Sequence, residues 1–219
     1  LAELSDSSIS NPRIRRSEMM THLRGISESA ESKEHVATFI TVTTPSRMHR
    51  MLSSGERNPA YDGSSVGLAQ QYLTQVWSRI RAKLRRDNIQ VYGLRVAEPH
   101  HDGCPHWHLM VFSKRHQQSK IENVISDYAL ADSPNEAGAR KHRVTFERCD
   151  YSKGSPVGYM AKYVSKNIDG YGITHHDDGT PIDVATSHIL AWARTNRIRQ
   201  FQFFGIPPRG IWRELRRVA

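Results

Sequence analysis

The chain has 219 residues, enough for one large domain with a proper core. Its mean hydropathy is −0.61, no apolar run nears the roughly 20 residues of a bilayer span, and no signal-peptide pattern opens it, so no membrane partner is expected. A net charge of +9 directs attention to a polyanion, nucleic acid before lipid, because no segment joins basic charge to a large apolar face.

In chain order, residues 1–16 are Ser-rich and end in the basic run Arg13, Arg15 and Arg16, which predicts a flexible arm. Residues 17–34 carry a weak helical pattern through Met20, Leu23 and Ile26. The β-branched run 36–43 (VATFITVT) predicts a buried strand stopped by Pro45. From Val66 to Arg86 apolar residues recur at helical spacing, and the helix ends in basic residues that complement its dipole. Residues 89–98 alternate as a strand, the 101–104 segment is a turn, and 105–112 form a second strand, giving a hairpin. A helix through Ile121, Val124 and Tyr128 follows, then a strand near 143–149. Ser155 and Pro156 are an N-cap and first-turn pair for a helix reaching about Ile168, with Gly170 beyond it. A helix over 182–195, an aromatic strand over 198–204 and a helical tail over 209–218 complete the pattern. Strands and helices interleave around a hairpin, so the expected class is α+β, an antiparallel sheet with helices packed against it. Cys104 and Cys149 lack zinc-knuckle spacing and read as reduced cytoplasmic thiols.

His106 and His108 alternate about Trp107 on the second hairpin strand, so both project from one face and can hold one cation. The bare motif is weak in a chain with twelve histidines, but the rest of the strand is apolar and two imidazoles are poor packing choices there. Glu98, His100, His101 and Asp102 are available as a third ligand, and Glu98 is preferred because it ends the facing strand. A two-residue turn at Asp102 and Gly103 would set Glu98 opposite Trp107, on the wrong face, so a bulge or longer turn is required. Two imidazoles and a carboxylate suit Mn²⁺, Zn²⁺ or Mg²⁺.

Tyr159, Tyr163 and Lys166 fall within a sector of roughly 60° on the 156–168 helix, opposite Val157, Ala161, Val164 and Ile168. Two exposed phenols beside Lys162 and Lys166 suit a nucleophile that attacks phosphorus, with positive charge favouring the phenolate. The plainer alternative is a pair of surface tyrosines that stack on DNA or on a partner.

Three segments, 39–47 (FITVTTPSR), 98–108 (EPHHDGCPHWH) and 158–170 (GYMAKYVSKNIDG), occur in this order and resemble the three motifs of HUH (His-hydrophobic-His) endonucleases. More narrowly, with 198–205 (IRQFQFFG) and 212–217 (WRELRR), the chain is similar to the bacteriophage replication gene A protein family over roughly residues 17–217. Met48 departs from the aromatic expected before His49.

The resemblance implies a central five-stranded antiparallel sheet of ferredoxin-like or RRM-like kind with flanking helices. His106, His108 and, less directly, Glu98 would bind one divalent metal, Mg²⁺ or Mn²⁺. Tyr159 and Tyr163 would be paired nucleophiles, and Lys162 or Lys166 would help hold the scissile phosphate. The implied activity is site-specific nicking of single-stranded DNA at a replication origin through a 5′-phosphotyrosine, initiating rolling-circle replication in the cytoplasm of a bacterial host. Family membership also suggests a host replicative helicase as partner. The expected layout is the basic arm over 1–16 and the endonuclease domain over 17–219, cut from a longer protein. The rivals are an HUH transposase or relaxase, a non-catalytic metal-containing origin-binding module, and a metal-dependent hydrolase that uses water.

Overall fold

We describe residues 11–218 of the computed structural model, the side chains of Arg209 and Arg216 excepted. The first helix, α1 (Pro12–Glu31), begins earlier than its weak periodicity predicts. Asn11 caps it by accepting the Arg13 amide at 2.9 Å, and Pro12 fits the first turn because it has no amide hydrogen to orphan. Residues 12–16 of the predicted arm are therefore helical, and Arg16 donates to both carboxylate oxygens of Asp169 at 3.0 and 2.8 Å. The first ten residues of that arm lie outside the described residues.

The remaining elements are β1 (His35–Val42), α2 (Val66–Arg86), β2 (Tyr92–Pro99), β3 (Pro105–Lys114), α3 (Gln118–Leu130), α4 (Ala139–His142), β4 (Val144–Arg148), α5 (Pro156–Lys166), α6 (Ile182–Thr195), β5 (Phe201–Phe204) and α7 (Arg209–Val218). Strands β2 and β5 start three residues later than predicted, for one shared reason. The helices before them end on a left-handed residue, Asn88 (φ 56°) or Arg197 (φ 53°). The next amide then bonds back into the helix, Ile89 to Leu84 and Ile198 to Ala193, both at 2.8 Å. Each isoleucine is thus consumed in closing a helix.

The five strands form one antiparallel sheet in the order β4-β1-β3-β2-β5. One face carries Ile40, Trp107, Leu109 and Val111 and is covered by α2 and α3 through Leu73, Trp77, Ile80 and Ile125. The other carries Phe39, Leu94, Val96, Met110 and Phe112 and is covered by α1 and α5 through Met19, Leu23, Met160 and Val164. The period-two alternation of β3 assigns His106 and His108 to this second face.

Gly93 lies where β2 is paired on both sides, with φ +154°, and a Cβ there would drive into the backbone carbonyl of Met110. Gly93→Ala is expected to cost about 3 kcal/mol or more, the range of severe backbone clashes. Thermal unfolding should then show Tm lowered by roughly 6 °C or more, whereas an unchanged Tm would mean that the β2–β3 approach is wrong.

Candidate active site

The hairpin connecting β2 to β3 decides which side chains meet. Its loop spans residues 100–104, closed by the His100 amide to the Cys104 carbonyl at 2.7 Å and the Gly103 amide to the His100 carbonyl at 2.9 Å. This is the longer turn that the sequence requires, and it sets Glu98 directly across from His106. One residue of slip would have turned Glu98 to the opposite face.

The His106 and His108 Nε2 atoms face each other at 2.9 Å, with Glu98 Oε2 at 4.0 and 3.6 Å from them. His108 is oriented by a 3.0 Å hydrogen bond between its Nδ1 and Thr41 Oγ1, its cross-strand neighbour on β1. Burial and the neighbouring His108 push the His106 imidazole well below its ordinary pKa, so it is neutral and offers a lone pair. Glu98 is 1% exposed. Burial would raise its pKa, but the His108 hydrogen bond and the charge of Lys166 prevail and hold it at about 2. Two nitrogens 2.9 Å apart, each about 2.1 Å from a cation, subtend roughly 90°, so the donor set and spacing fit a divalent ion.

His100, His101 and Asp102, the other sequence candidates for third ligand, are engaged elsewhere. His100 and His101 share a hydrogen bond at 2.9 Å, His101 donates to the Leu52 carbonyl at 3.1 Å, and Asp102 pairs with His49 at 3.2 Å.

Helix α5 brings Tyr163, but not Tyr159, over this cluster. Ser155 accepts the Gly158 amide at 3.2 Å and Pro156 starts the helix, as the sequence predicts. The phenols, expected to be exposed, are instead half-buried, because α5 buries Met160 along with Val164 and tilts the tyrosines onto the sheet. Tyr163 lies 4.2 Å from the His108 ring and 5.1 Å from Phe39, whereas Tyr159 is farther out, 6.5 Å from Phe39. Burial and the Glu98 charge raise Tyr163 to about 12, and Tyr159 is raised too.

The lysines are not directed at the phenols as the sequence reading expects. Lys162 bonds Asp177 at 2.7 Å; Lys166, buried, bonds Glu98 at 3.2 Å and lies 3.7 Å from Asp177. Each basic side chain has found a carboxylate, which cancels the field it would otherwise lend to a phenolate. Asn167, the C-cap of α5, also donates to Glu98 and receives Gln200 Nε2 at 3.0 Å. Sequence reasoning missed Thr41, Asn167 and Asp177, since each acts across a register or a loop that no local pattern specifies. Glu98, His106, His108, Tyr163, Lys166 and Asp177 all line one open cavity of about 530 Å³.

Residues 1–171 match the family described as Bacteriophage replication gene A protein (GPA). The chain belongs to this family. It is 44% identical over 225 residues to the replication gene A protein of Escherichia phage 186, covering all of this chain and 32% of that protein. Against the replication gene A protein of Escherichia phage P2 the identity is 42%, covering 96% of this chain and 29% of that one. A probable replication endonuclease from a prophage-like region of Salmonella typhimurium is 38% identical, over all of this chain and 28% of its own length. The chain therefore spans about a third of the length of these family members. No solved structure matches it. No helix among the described residues is long and apolar enough to cross a membrane.

The His49–Asp102 pair anchors the hairpin loop to the segment after β1. Burial lowers the His49 pKa, but its hydrogen bonds to Asp102 and Cys104 raise it to about 10, from an ordinary 6.5. A raised histidine stabilises the fold fully below its unfolded pKa and loses that contribution as pH rises through the folded value. Asp102, held below its ordinary 3.8 by His49 against the effect of burial, contributes above that pH. The stability gap between wild type and Asp102→Asn should be widest between about pH 4 and 6.5 and narrow towards pH 10. Urea midpoints across this range test it, and a gap independent of pH would sink the assignment.

Proposed function

We propose that this chain is the DNA-nicking and joining part of a phage replication initiator, acting on single-stranded DNA at a replication origin in the host cytoplasm. What carries the reading is the convergence, in one cavity, of the Glu98–His106–His108 donor set and the Tyr163 ring tilted against His108. A relative named as a probable replication endonuclease, and membership of the replication gene A family, favour this over a transposase or relaxase.

The proposed step is a transesterification. The Tyr163 oxygen bonds to phosphorus, the bond from phosphorus to the 3′ oxygen breaks, and the phenol proton passes to solvent while the 3′ oxygen takes one up. A 5′-phosphotyrosine and a free 3′-OH result, and the reverse attack by a 3′-OH rejoins the strand without nucleotide hydrolysis. A divalent cation such as Mg²⁺ or Mn²⁺, held by Glu98, His106 and His108, would polarise the phosphate and offset the burial and the Glu98 charge that raise Tyr163. Lys166 positions Glu98, and Lys162, exposed, exchanges Asp177 for the scissile phosphate. Tyr159 lies one turn along α5, about 6 Å by helical rise, where a second phenol can receive the strand after one round.

Labelled origin DNA incubated with Mn²⁺ should yield a protein adduct that survives denaturation. Tyr163→Phe should reduce it at least 100-fold, Tyr159→Phe much less, and the double variant should abolish it. EDTA, His106→Ala and His108→Ala should each abolish it too. Cleavage without an adduct would establish the water-using hydrolase, and origin binding without cleavage the non-catalytic module.

A further inference from the structure

A second cavity, of about 460 Å³, opens further along α6 and is lined by Arg15, Arg194, Arg197, Arg199, Gln200 and Phe201. These arginines come from three places: Arg15 from α1, Arg194 from the last turn of α6, and Arg197 and Arg199 from the link to β5. Among the described residues no carboxylate pairs with any of the four. Arg16, on the same helix as Arg15, does find an acid in Asp169. Two of the four, Arg15 and Arg194, are close enough to repel. Arg15 is lowered by burial and by Arg194, and the buried Arg95 is lowered to about 10 by burial and by Arg199. Like charges gathered in a concave site without a counter-charge are stabilised by an anion, and guanidinium forks match phosphate oxygens in particular.

The position of this cavity names the anion. His188 and Ile189 of α6 line the active cavity, and Leu190, Ala193 and Arg194 of the same helix line this one. His188 and Arg194 are about 9 Å apart along the helix by its rise, a spacing of a few nucleotides. The two cavities are also bonded together, since Gln200 in the second reaches Glu98 in the first through Asn167. Resting on the proposed function, we infer that Arg15, Arg194, Arg197 and Arg199 form a backbone clamp. It grips a phosphate of the single strand a few nucleotides from the scissile one, without reading its bases.

The test is fluorescence anisotropy with labelled oligo(dT) of about 30 nucleotides over a range of salt concentrations. Proteins compared are wild type, Arg194→Ala/Arg199→Ala, Arg194→Lys/Arg199→Lys, and a control, Arg81→Ala/Arg85→Ala, on the exposed surface of α2 on the opposite face of the sheet. Each phosphate contact on a single strand contributes about 0.7 to the slope of log affinity against log salt. The alanine pair should therefore lose roughly 0.7 from the slope and bind at least ten-fold more weakly at low salt. The lysine pair should retain most of both, and the control should change little. An alanine pair with the wild-type slope, or one no weaker than the control, overturns the clamp and leaves the nicking chemistry standing. Failure of the wild type to bind the oligonucleotide at all overturns both.

Discussion

The carboxylate of Glu98 sits at the centre of the candidate site, and much of the site's geometry follows from the need to keep it paired. A buried anion without partners is severely unfavourable, and losing one member of such a pair typically costs about 3–5 kcal/mol. Here the partners come from the far end of α5, Lys166 and Asn167, and from the imidazoles of β3. Because Lys166 and Asn167 end the helix, their bonds to Glu98 fix where α5 lies on the sheet. Tyr163, one turn earlier, is thereby placed over His108. The same network extends to α6, whose Thr186 hydroxyl donates to the Lys166 carbonyl at 3.0 Å, and to Gln200 just before β5.

This arrangement gives a strongly basic protein a candidate active cavity that is short of positive charge. Glu98 and Asp177 absorb both lysines of α5, and the phenols are raised rather than lowered. Two imidazole nitrogens face each other across 2.9 Å, an arrangement that at most one shared proton can relieve. A divalent cation would resolve all of these at once, which is the physical reason for proposing the donor set as a ligand set. Under the proposed function, reactivity of the tyrosines would then be conditional on the ion.

Net charge is deployed away from this centre. The C-terminal turn of α2 carries Lys83, Arg85 and Arg86, where they complement the helix dipole, and Asp87 partly neutralises that end. Among the described residues, the arginines at the end of α6 have no such acid. A sequence count treats both groups as equivalent basic clusters, and only their surroundings separate a solvated helix end from arginines lining a cavity.

Much of the fold was legible because it is written in local patterns. Helix α2 follows from its apolar spacing, α5 from the Ser155–Pro156 start, and the face shared by His106 and His108 from strand alternation alone. The motif strings also carried the family, since residue types in fixed order survive without coordinates. What they could not supply were relationships across the chain. Whether Glu98 joins the histidines rests on the length of one hairpin loop, a single residue of register that the sequence narrowed but did not choose. The half-burial of Tyr159 and Tyr163 depends on how α5 tilts, which Met160 decides by competing for the core. Lys166 reads as a free cation on a helix face and becomes a buried partner of Glu98, 68 positions away. Periodicity reports which side of an element is apolar; what stands opposite that side is set by packing, and only the tertiary structure determines it.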